Sequence, residues 1–223
     1  QTAGVSIIAY TGNASVGATI PHGLGVAPAL IIFKNRDSSV KWVVYHHKAA
    51  TSSPEDVHLQ LNSTAAVSND DSILNDTAPS STLITMKTSS AVNSNSVKYI
   101  AYCFSEIKGY SKFGSYTGNG NADGTFLYTG FKPSWLMYKR TDSAHGWFML
   151  DNKRDTFNVS YKMLRAESSS VEDTGSSPVV DFLSNGFKMR NTYNSANASG
   201  GTYIYMAFAE SPFVNSNGIP NNA

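Results

Sequence analysis

Residues 99–106 read YIAYCFSE, and residues 203–210 read YIYMAFAE. Each octapeptide is a short run of aromatic, β-branched and small apolar residues that ends in a glutamate. Such short runs are typical of a β-strand rather than of an amphipathic helix. Because the second octapeptide repeats the first at an offset of 104 residues, the chain is predicted to contain a long internal repeat.

Four further blocks recur in the same order, three of them at an offset of 105 or 106 residues and the last at 97. They are residues 10–13 with 116–119, residues 28–34 with 133–139, Asp37, Ser38 and Trp42 with Asp142, Ser143 and Trp147, and residues 76–77 with 173–174. We therefore predict two homologous domains, residues 1–108 and 109–213, followed by a polar tail at residues 214–223. The chain begins with Gln1 rather than Met, so we expect either processing or a piece of a longer polypeptide.

The composition favours an all-β protein. Ser, Thr and Asn number 31, 17 and 19 of the 223 residues, and their side chains compete with the backbone hydrogen bonds of a helix. The most strand-like segments are residues 29–34, 41–46 and 98–104, with counterparts at 134–139, 147–150 and 202–208. Polar turns separate them, so we predict two antiparallel β-sandwich repeats of the jelly-roll type, in tandem and packed together. Residues 67–82 and 166–178 are predicted to be loops.

Charge and cysteine content exclude several classes of protein. The formal net charge is +1, which is too small to attract nucleic acid or an anionic membrane as the main partner. No apolar run approaches the length needed to span a bilayer, so membrane insertion is not expected. The single cysteine, Cys103, cannot form a disulfide within the chain.

Catalytic and metal-binding patterns are weak. The five histidines show no metal-ligand spacing, and the neighbours His46 and His47 would point to opposite faces of a strand. Cys103 lies in an apolar strand without a nearby base, and Trp42 and Trp147, at equivalent positions, are predicted to be core residues. We therefore predict no cofactor, no metal and no enzymatic activity.

Candidate binding residues lie in loops that differ between the two copies. A lone aspartate in the loop of residues 117–124 offers too few ligands for calcium, so that loop is predicted to be a flexible turn. The binding candidates are Tyr110, Asn121, Asp123, His145, Tyr193, Asn194 and Asn197.

Two stretches resemble virion proteins of tailed bacteriophages. Residues 20–34, IPHGLGVAPALIIFK, resemble a segment of tail-fibre and other virion proteins. Residues 99–120, YIAYCFSEIKGYSKFGSYTGNG, resemble the junction of a duplicated, uncharacterised domain in phage structural proteins, and residues 181–188 and 203–213 fit the same family.

The resemblance implies a non-enzymatic module of a tail fibre or spike on the virion surface, and supplies no catalytic or binding residues. Its expected partners are other virion proteins, copies of itself in a homotrimer, and a glycan or protein of the host surface. A capsid decoration or head-fibre protein is the main alternative. A glycan-cleaving tailspike enzyme, which would need a pair of carboxylates in a groove, and a free lectin are further alternatives.

Overall fold

β-Strands, paired antiparallel, are the main regular structure of the residues that the computed structural model describes, residues 4–175 and 179–210. Within these residues there is one 3-10 turn, Pro54–Asp56, and no α-helix. The same residues include no helix long and apolar enough to cross a membrane. The prediction of an all-β protein is therefore confirmed. The chain divides into two compact units, Gln1–Glu106 (unit 1) and Ile107–Ala223 (unit 2).

Unit 1 contains two sheets. Its strands are β1 (Val5–Thr11), β2 (Ala18–Pro21), β3 (Leu30–Asn35), β4 (Val43–His46), β5 (Val57–Gln60), β6 (Ser68–Asn69), β7 (Leu83–Met86) and β8 (Lys98–Phe104). The larger sheet has the order β1-β8-β3-β4-β5-β6, and β2 pairs with β7 in the smaller one. Side chains from both sheets, including Ile31 of β3 and Ile84 of β7, form one buried cluster between them.

Unit 2 also contains two sheets. Its strands are β9 (Ser111–Thr117), β10 (Phe126–Tyr128), β11 (Pro133–Arg140), β12 (Trp147–Asp151), β13 (Leu164–Arg165), β14 (Val180–Leu183), β15 (Gly186–Met189) and β16 (Thr202–Ala209). The larger sheet has the order β13-β12-β11-β16-β9, and the smaller one β10-β15-β14. Leu136 of β11 and Phe187 of β15 belong to one buried hydrophobic cluster, to which both sheets contribute.

The larger sheets of the two units share strand order and register. In unit 1 the order β1-β8-β3-β4-β5 corresponds to β9-β16-β11-β12-β13 in unit 2. Tyr10 lies opposite Tyr99 as Tyr116 lies opposite Tyr203. Since a slip of one residue would turn every side chain to the opposite face, equal register places the repeated residues at equivalent positions.

Buried and partly exposed side chains alternate along strand β8. Tyr99, Ala101 and Cys103 are fully buried, whereas the residues between them face outward and are partly exposed. This is the period of two that a strand with one covered face requires. Burial also raises the pKa of the Cys103 thiol to about 12, which keeps it protonated and unreactive.

The predicted hairpins are present. Strands β3 and β4 pair, as do β11 and β12. In the first turn, the Oδ1 atom of Asn35 accepts the backbone N–H groups of Asp37 and Ser38 at 2.9 and 3.0 Å. This side-chain cap closes the turn and is a common use of asparagine between strands.

Some local predictions are wrong. Residues 67–82 were expected to form a loop, but they include β6, and Ile73 and Leu74 are buried in the core of unit 1. Trp147 is 1% exposed, as expected for the core, whereas Trp42 is only half-buried, beside Lys34.

Strand β4 (Val43–His46) begins two residues later than expected and ends at His46, as predicted. The next residue, His47, lies in a turn, and its ring is 5.3 Å from that of His46. The two rings therefore do not point to opposite faces of one strand. The predicted tail at residues 214–223 lies outside the described residues.

Candidate functional site

Most of the predicted binding residues lie on two loops of unit 2 that touch each other. Asn121 and Asp123 lie in the loop between β9 and β10, and Tyr193, Asn194 and Asn197 lie between β15 and β16. Hydrogen bonds from Asn197 to the first loop join the two segments. The structure thus brings these five residues together at one end of unit 2.

Asn197 holds these loops in place. Its side chain is fully buried, and its Nδ2 atom lies 2.8–2.9 Å from Asn119 Oδ1, Asn121 O and Asn191 O. Its Oδ1 atom accepts the backbone N–H of Asn119 at 3.0 Å. Because both ends of the amide are used inside the protein, Asn197 has no group left to present to a ligand.

Asn93 has the same role in unit 1. It is 1% exposed, its Nδ2 atom donates to Ser15 O and Lys87 O at 3.0 and 2.8 Å, and its Oδ1 atom accepts the N–H of Asn13. Asn197 therefore occupies a position common to both units. The prediction that it belongs to a loop specific to unit 2 is therefore not supported by its hydrogen bonds.

The other residues of this end are more exposed. Asp123 forms an ion pair with Lys188 of β15, which lowers the pKa of its carboxyl group below its usual value. Asn121 lies beside it, and its Oδ1 atom accepts the N–H of Asp123 at 2.9 Å. The ring of Tyr193 is 46% exposed, and the backbone oxygen of Asn194 accepts a hydrogen bond from Arg140 at 2.8 Å.

His145 lies close to the same arginine. Burial first, and then the positive charges of Arg140 and Lys139, lower the pKa of its imidazole. The histidine is therefore neutral at physiological pH and can accept or donate a hydrogen bond there. Arg140 itself is bound by Asp142 at 2.7 Å.

Tyr110 lies apart from this group. It precedes β9, and its ring packs on Phe208 of β16 with centroids 5.5 Å apart. Its backbone oxygen accepts the N–H of Ala209. Tyr110 is therefore a structural residue at the start of unit 2, separate from the loops around Asn197.

The two most exposed aromatic side chains of the nearby sheet were not among the predicted binding residues. In β10 the side chains of Phe126 and Tyr128 are 43% and 66% exposed, while Leu127 between them is buried. Phe126 lies opposite Lys188 and Tyr128 opposite Gly186. We call the outer face that Phe126, Tyr128 and Lys188 form the aromatic face.

Gly186 keeps this face open. A Cβ atom at this position would lie 2.1 Å from the backbone oxygen of Leu127, so only glycine allows β15 to pair here with β10. Because glycine has no side chain, the ring of Phe126 lies over this position, with its Cε2 atom 3.1 Å from where a Cβ atom would stand, and Tyr128 has no side chain directly opposite it. Asp181 borders the face and binds Arg190 at 3.2 Å.

The corresponding strand of unit 1 has no aromatic face. The inward-facing residue of β2 is Ile20, which lies opposite Ile84, and that of β10 is Leu127, which lies opposite Phe187. If these two inward-facing residues are matched, Thr19 stands at the place of Phe126 and Pro21 at the place of Tyr128. The fold can therefore be built without aromatic side chains at these two places. A sequence signal for the face does exist. In residues 126–128 the two positions that face outward are aromatic, whereas the outward positions of residues 19–21 are not.

Among residues 4–175 and 179–210, no group of three His, Cys, Asp or Glu side chains is arranged to hold a metal ion. The chemistry that the aromatic face offers is stacking on exposed rings, together with hydrogen bonding by Lys188 and the loop side chains.

One family model matches nearly the whole chain. It is described as a domain of unknown function, DUF7483, and matches residues 1–212. No curated protein matches the chain, and no solved structure matches it.

Proposed function

We propose that this chain, which belongs to the DUF7483 family, is a non-enzymatic module of a tailed-bacteriophage virion. It sits on the virion surface in a tail fibre or spike and attaches to a glycan or protein of the host surface. The resemblance of residues 20–34 and 99–120 to phage structural proteins supports the virion assignment.

The observation that carries the attachment role is the aromatic face. Large apolar side chains at the surface gain free energy when a partner covers them. Phe126 and Tyr128 are exposed in unit 2, at places where unit 1 has Thr19 and Pro21. Since the fold does not need the two rings, a binding role accounts for them.

Charges around the face support binding over cleavage. A glycan-cleaving enzyme needs a general acid whose pKa is raised. Near the aromatic face, Lys188 lowers the pKa of Asp123, and Asp181 is held by Arg190. Asp123 is therefore not in an environment that favours its protonated form, and Asp181 is engaged in an ion pair.

Duplication of one jelly-roll-like domain is part of this proposal. Its support is the common strand order of the larger sheets and their identical register, together with the paired Asn93 and Asn197. After duplication, one copy can keep the fold while the other acquires a binding surface.

Assembly is proposed to be a homotrimer, the usual form of a tail fibre that the resemblance implies. A net charge of +1 lets identical chains pack without strong repulsion. Light scattering of the purified chain tests this part. A mass three times that of the 24.0 kDa chain supports a trimer, and a stable monomer contradicts it.

Attachment is tested with the labelled full chain and intact bacterial cells of candidate hosts. The wild type is compared with a Phe126→Thr/Tyr128→Thr variant, and the matched control is Thr19→Ser/Thr85→Ser on the corresponding face of unit 1. We expect saturable binding by the wild type and the control, and at least tenfold weaker binding by the aromatic variant. Binding that is the same in all three chains contradicts the role of the face. Binding to capsids and to no host cell favours a decoration protein.

A further inference from the structure

A pocket lies in unit 2, apart from the residues of the aromatic face. It has a volume of about 370 Å³, which is at the small end of the range of about 300–1,000 Å³ for small-molecule sites. Its walls come from the segment after β12, from Phe182 of β14 and from Glu210 after β16. A space of this size suits a ligand of one or two sugar rings.

The charged groups of the wall neutralise one another. Glu210 binds Lys132 at 2.9 Å and Lys153 at 3.5 Å. Asp155 is 8% exposed, and its Oδ2 atom accepts the backbone N–H groups of Tyr161 and Lys162 at 2.8 and 2.7 Å. Two lysines and two carboxylates give no net charge, so the pocket favours a neutral ligand over a phosphate or a nucleotide.

An unused hydrogen-bond acceptor lies in the wall. The Oδ1 atom of Asn152 is buried and accepts no hydrogen bond from the described residues. A buried polar atom without a partner is unfavourable, and in a native protein it calls for an explanation. If the Asn152 amide turned towards the pocket on binding, a ligand hydroxyl group would donate to this atom.

An exposed ring completes the wall. Phe157 contributes to the pocket, yet 84% of its side chain is exposed. A phenylalanine this exposed contributes little to the core. Its flat apolar surface suits a ligand that has one apolar face and polar groups around its edge.

We propose that this pocket binds a neutral pyranose sugar, with its C–H face on Phe157 and its hydroxyl groups on Asn152 and Glu210. Pyranose rings have one face of C–H groups and a rim of hydroxyls that both donate and accept. This is the combination that the exposed ring, the unused acceptor and the balanced charges require. The proposal concerns a site separate from the aromatic face and does not depend on attachment to cells.

The test uses the full chain and a panel of soluble probes followed by NMR chemical-shift titration. The neutral probes are the methyl glycosides of glucose, galactose, mannose and N-acetylglucosamine, and the charged probes are glucuronate and glucose 6-phosphate. We expect at least one neutral glycoside to bind with Kd on the order of 1 mM, and the charged probes to bind more weakly. Tighter binding of a charged probe, or no binding of any neutral one, overturns the proposal.

Variants locate the site. Phe157→Ser is expected to weaken binding of the neutral glycoside at least tenfold, and Asn152→Leu to weaken it while leaving the protein folded. Val171→Ser, which removes an apolar side chain that is 90% exposed and lies outside both the pocket and the aromatic face, is the control and is expected to keep full sugar binding. Equal binding by the Phe157 and Val171 variants overturns the proposal.

The outcome is distinguishable from that of the attachment experiment. Cell attachment without binding of any sugar probe overturns the proposal for the pocket and leaves the proposed function intact. Sugar binding without attachment to any cell supports the pocket and contradicts the attachment role.

Discussion

The rings of Tyr116 and Tyr203 stack with their centroids 4.7 Å apart and their planes 10° from parallel. In unit 1, Tyr10 and Tyr99 stack in the same way, at 5.2 Å and 18°. The hydroxyl of Tyr116 donates to the backbone oxygen of Ala196 at 2.8 Å, and that of Tyr10 donates to Val92 at the same distance. The two units thus use one arrangement to join two strands at the edge of the larger sheet, β1 and β8 or β9 and β16, to the loop that follows the smaller sheet.

The inner tyrosines carry matching hydrogen bonds, so their loss is predicted to have matching effects. The hydroxyl of Tyr203 donates to Asn194 O and accepts the N–H of Ala198, and that of Tyr99 donates to Ser90 O and accepts the N–H of Ser94. Tyr203→Phe and Tyr99→Phe are each expected to reduce the free energy of unfolding by about 1–3 kcal/mol. Urea denaturation measures this.

The control for these variants is Tyr193→Phe, because that side chain is 46% exposed. We expect it to change stability by less than about 0.5 kcal/mol. A loss confined to only one of the two inner tyrosines would contradict the equivalence of the units.

The buried asparagines make a second matched pair. Asn197→Asp places a carboxylate beside Asn119 Oδ1, Asn121 O and Asn191 O, where the wild-type amide donates. Because an acceptor would then face other acceptors in a buried place, the free energy of unfolding is expected to fall by about 2–4 kcal/mol. Asn93→Asp is expected to have a similar effect, and thermal denaturation near pH 7 compares the two.

Asn194→Asp serves as the control, because its side chain is exposed. We expect it to leave the melting temperature almost unchanged. If Asn197→Asp were equally harmless, the amide could not be holding the two loops together, and Asn197 would again be a candidate for ligand binding.

The stability of unit 1 is predicted to fall in mild acid because of His58. This side chain is 1% exposed, and its Nε2 atom lies 2.8 Å from Nζ of Lys41. Burial first, and then Lys41, lower the pKa of His58 to about 4, although nearby Asp70 acts in the opposite direction. The unfolded chain, with an ordinary histidine pKa near 6.5, binds the proton first as the pH falls.

The free energy of unfolding is therefore expected to decrease by an amount on the order of 2 kcal/mol as the pH is lowered from about 6.5 to about 4. Urea denaturation of the wild type and of His58→Gln across this range measures the contribution. Glutamine keeps an acceptor for Lys41 but does not titrate, so its curve is expected to be flatter. Parallel curves for the two proteins would show that His58 is not responsible.

The aromatic face is predicted to be dispensable for folding. Thr has a high strand propensity, and the two rings are largely exposed, so Phe126→Thr/Tyr128→Thr is expected to change the free energy of unfolding by less than about 1 kcal/mol. Urea denaturation checks this on the same preparation that is used for cell binding. A large loss of stability would instead make the two rings structural.

Sequence patterns predicted the fold better than the site. The hairpins around residues 29–46 and 134–150 were predictable because apolar runs and polar turns alternate there. Ile73 and Leu74 were missed because two apolar residues in a polar segment do not reveal that they reach a core. Their burial depends on contacts made far along the chain.

Asn197 and Tyr128 show why the site was harder to predict. An asparagine in a polar turn looks accessible, and only the three-dimensional arrangement shows that its amide is used by two other segments. An aromatic residue in a strand is usually buried, and only the pairing of β10 with Gly186 shows that Tyr128 faces outward without a cover.

The most direct measurement of the central claim is a binding isotherm of the full chain with the extracted surface polysaccharide of the host cells to which it attaches. Release of sugar fragments is followed in the same sample. We expect saturable binding that is lost in Phe126→Thr/Tyr128→Thr, while the polysaccharide keeps its full length. Shortening of the polysaccharide, or binding that does not depend on the aromatic face, would contradict the proposed attachment role.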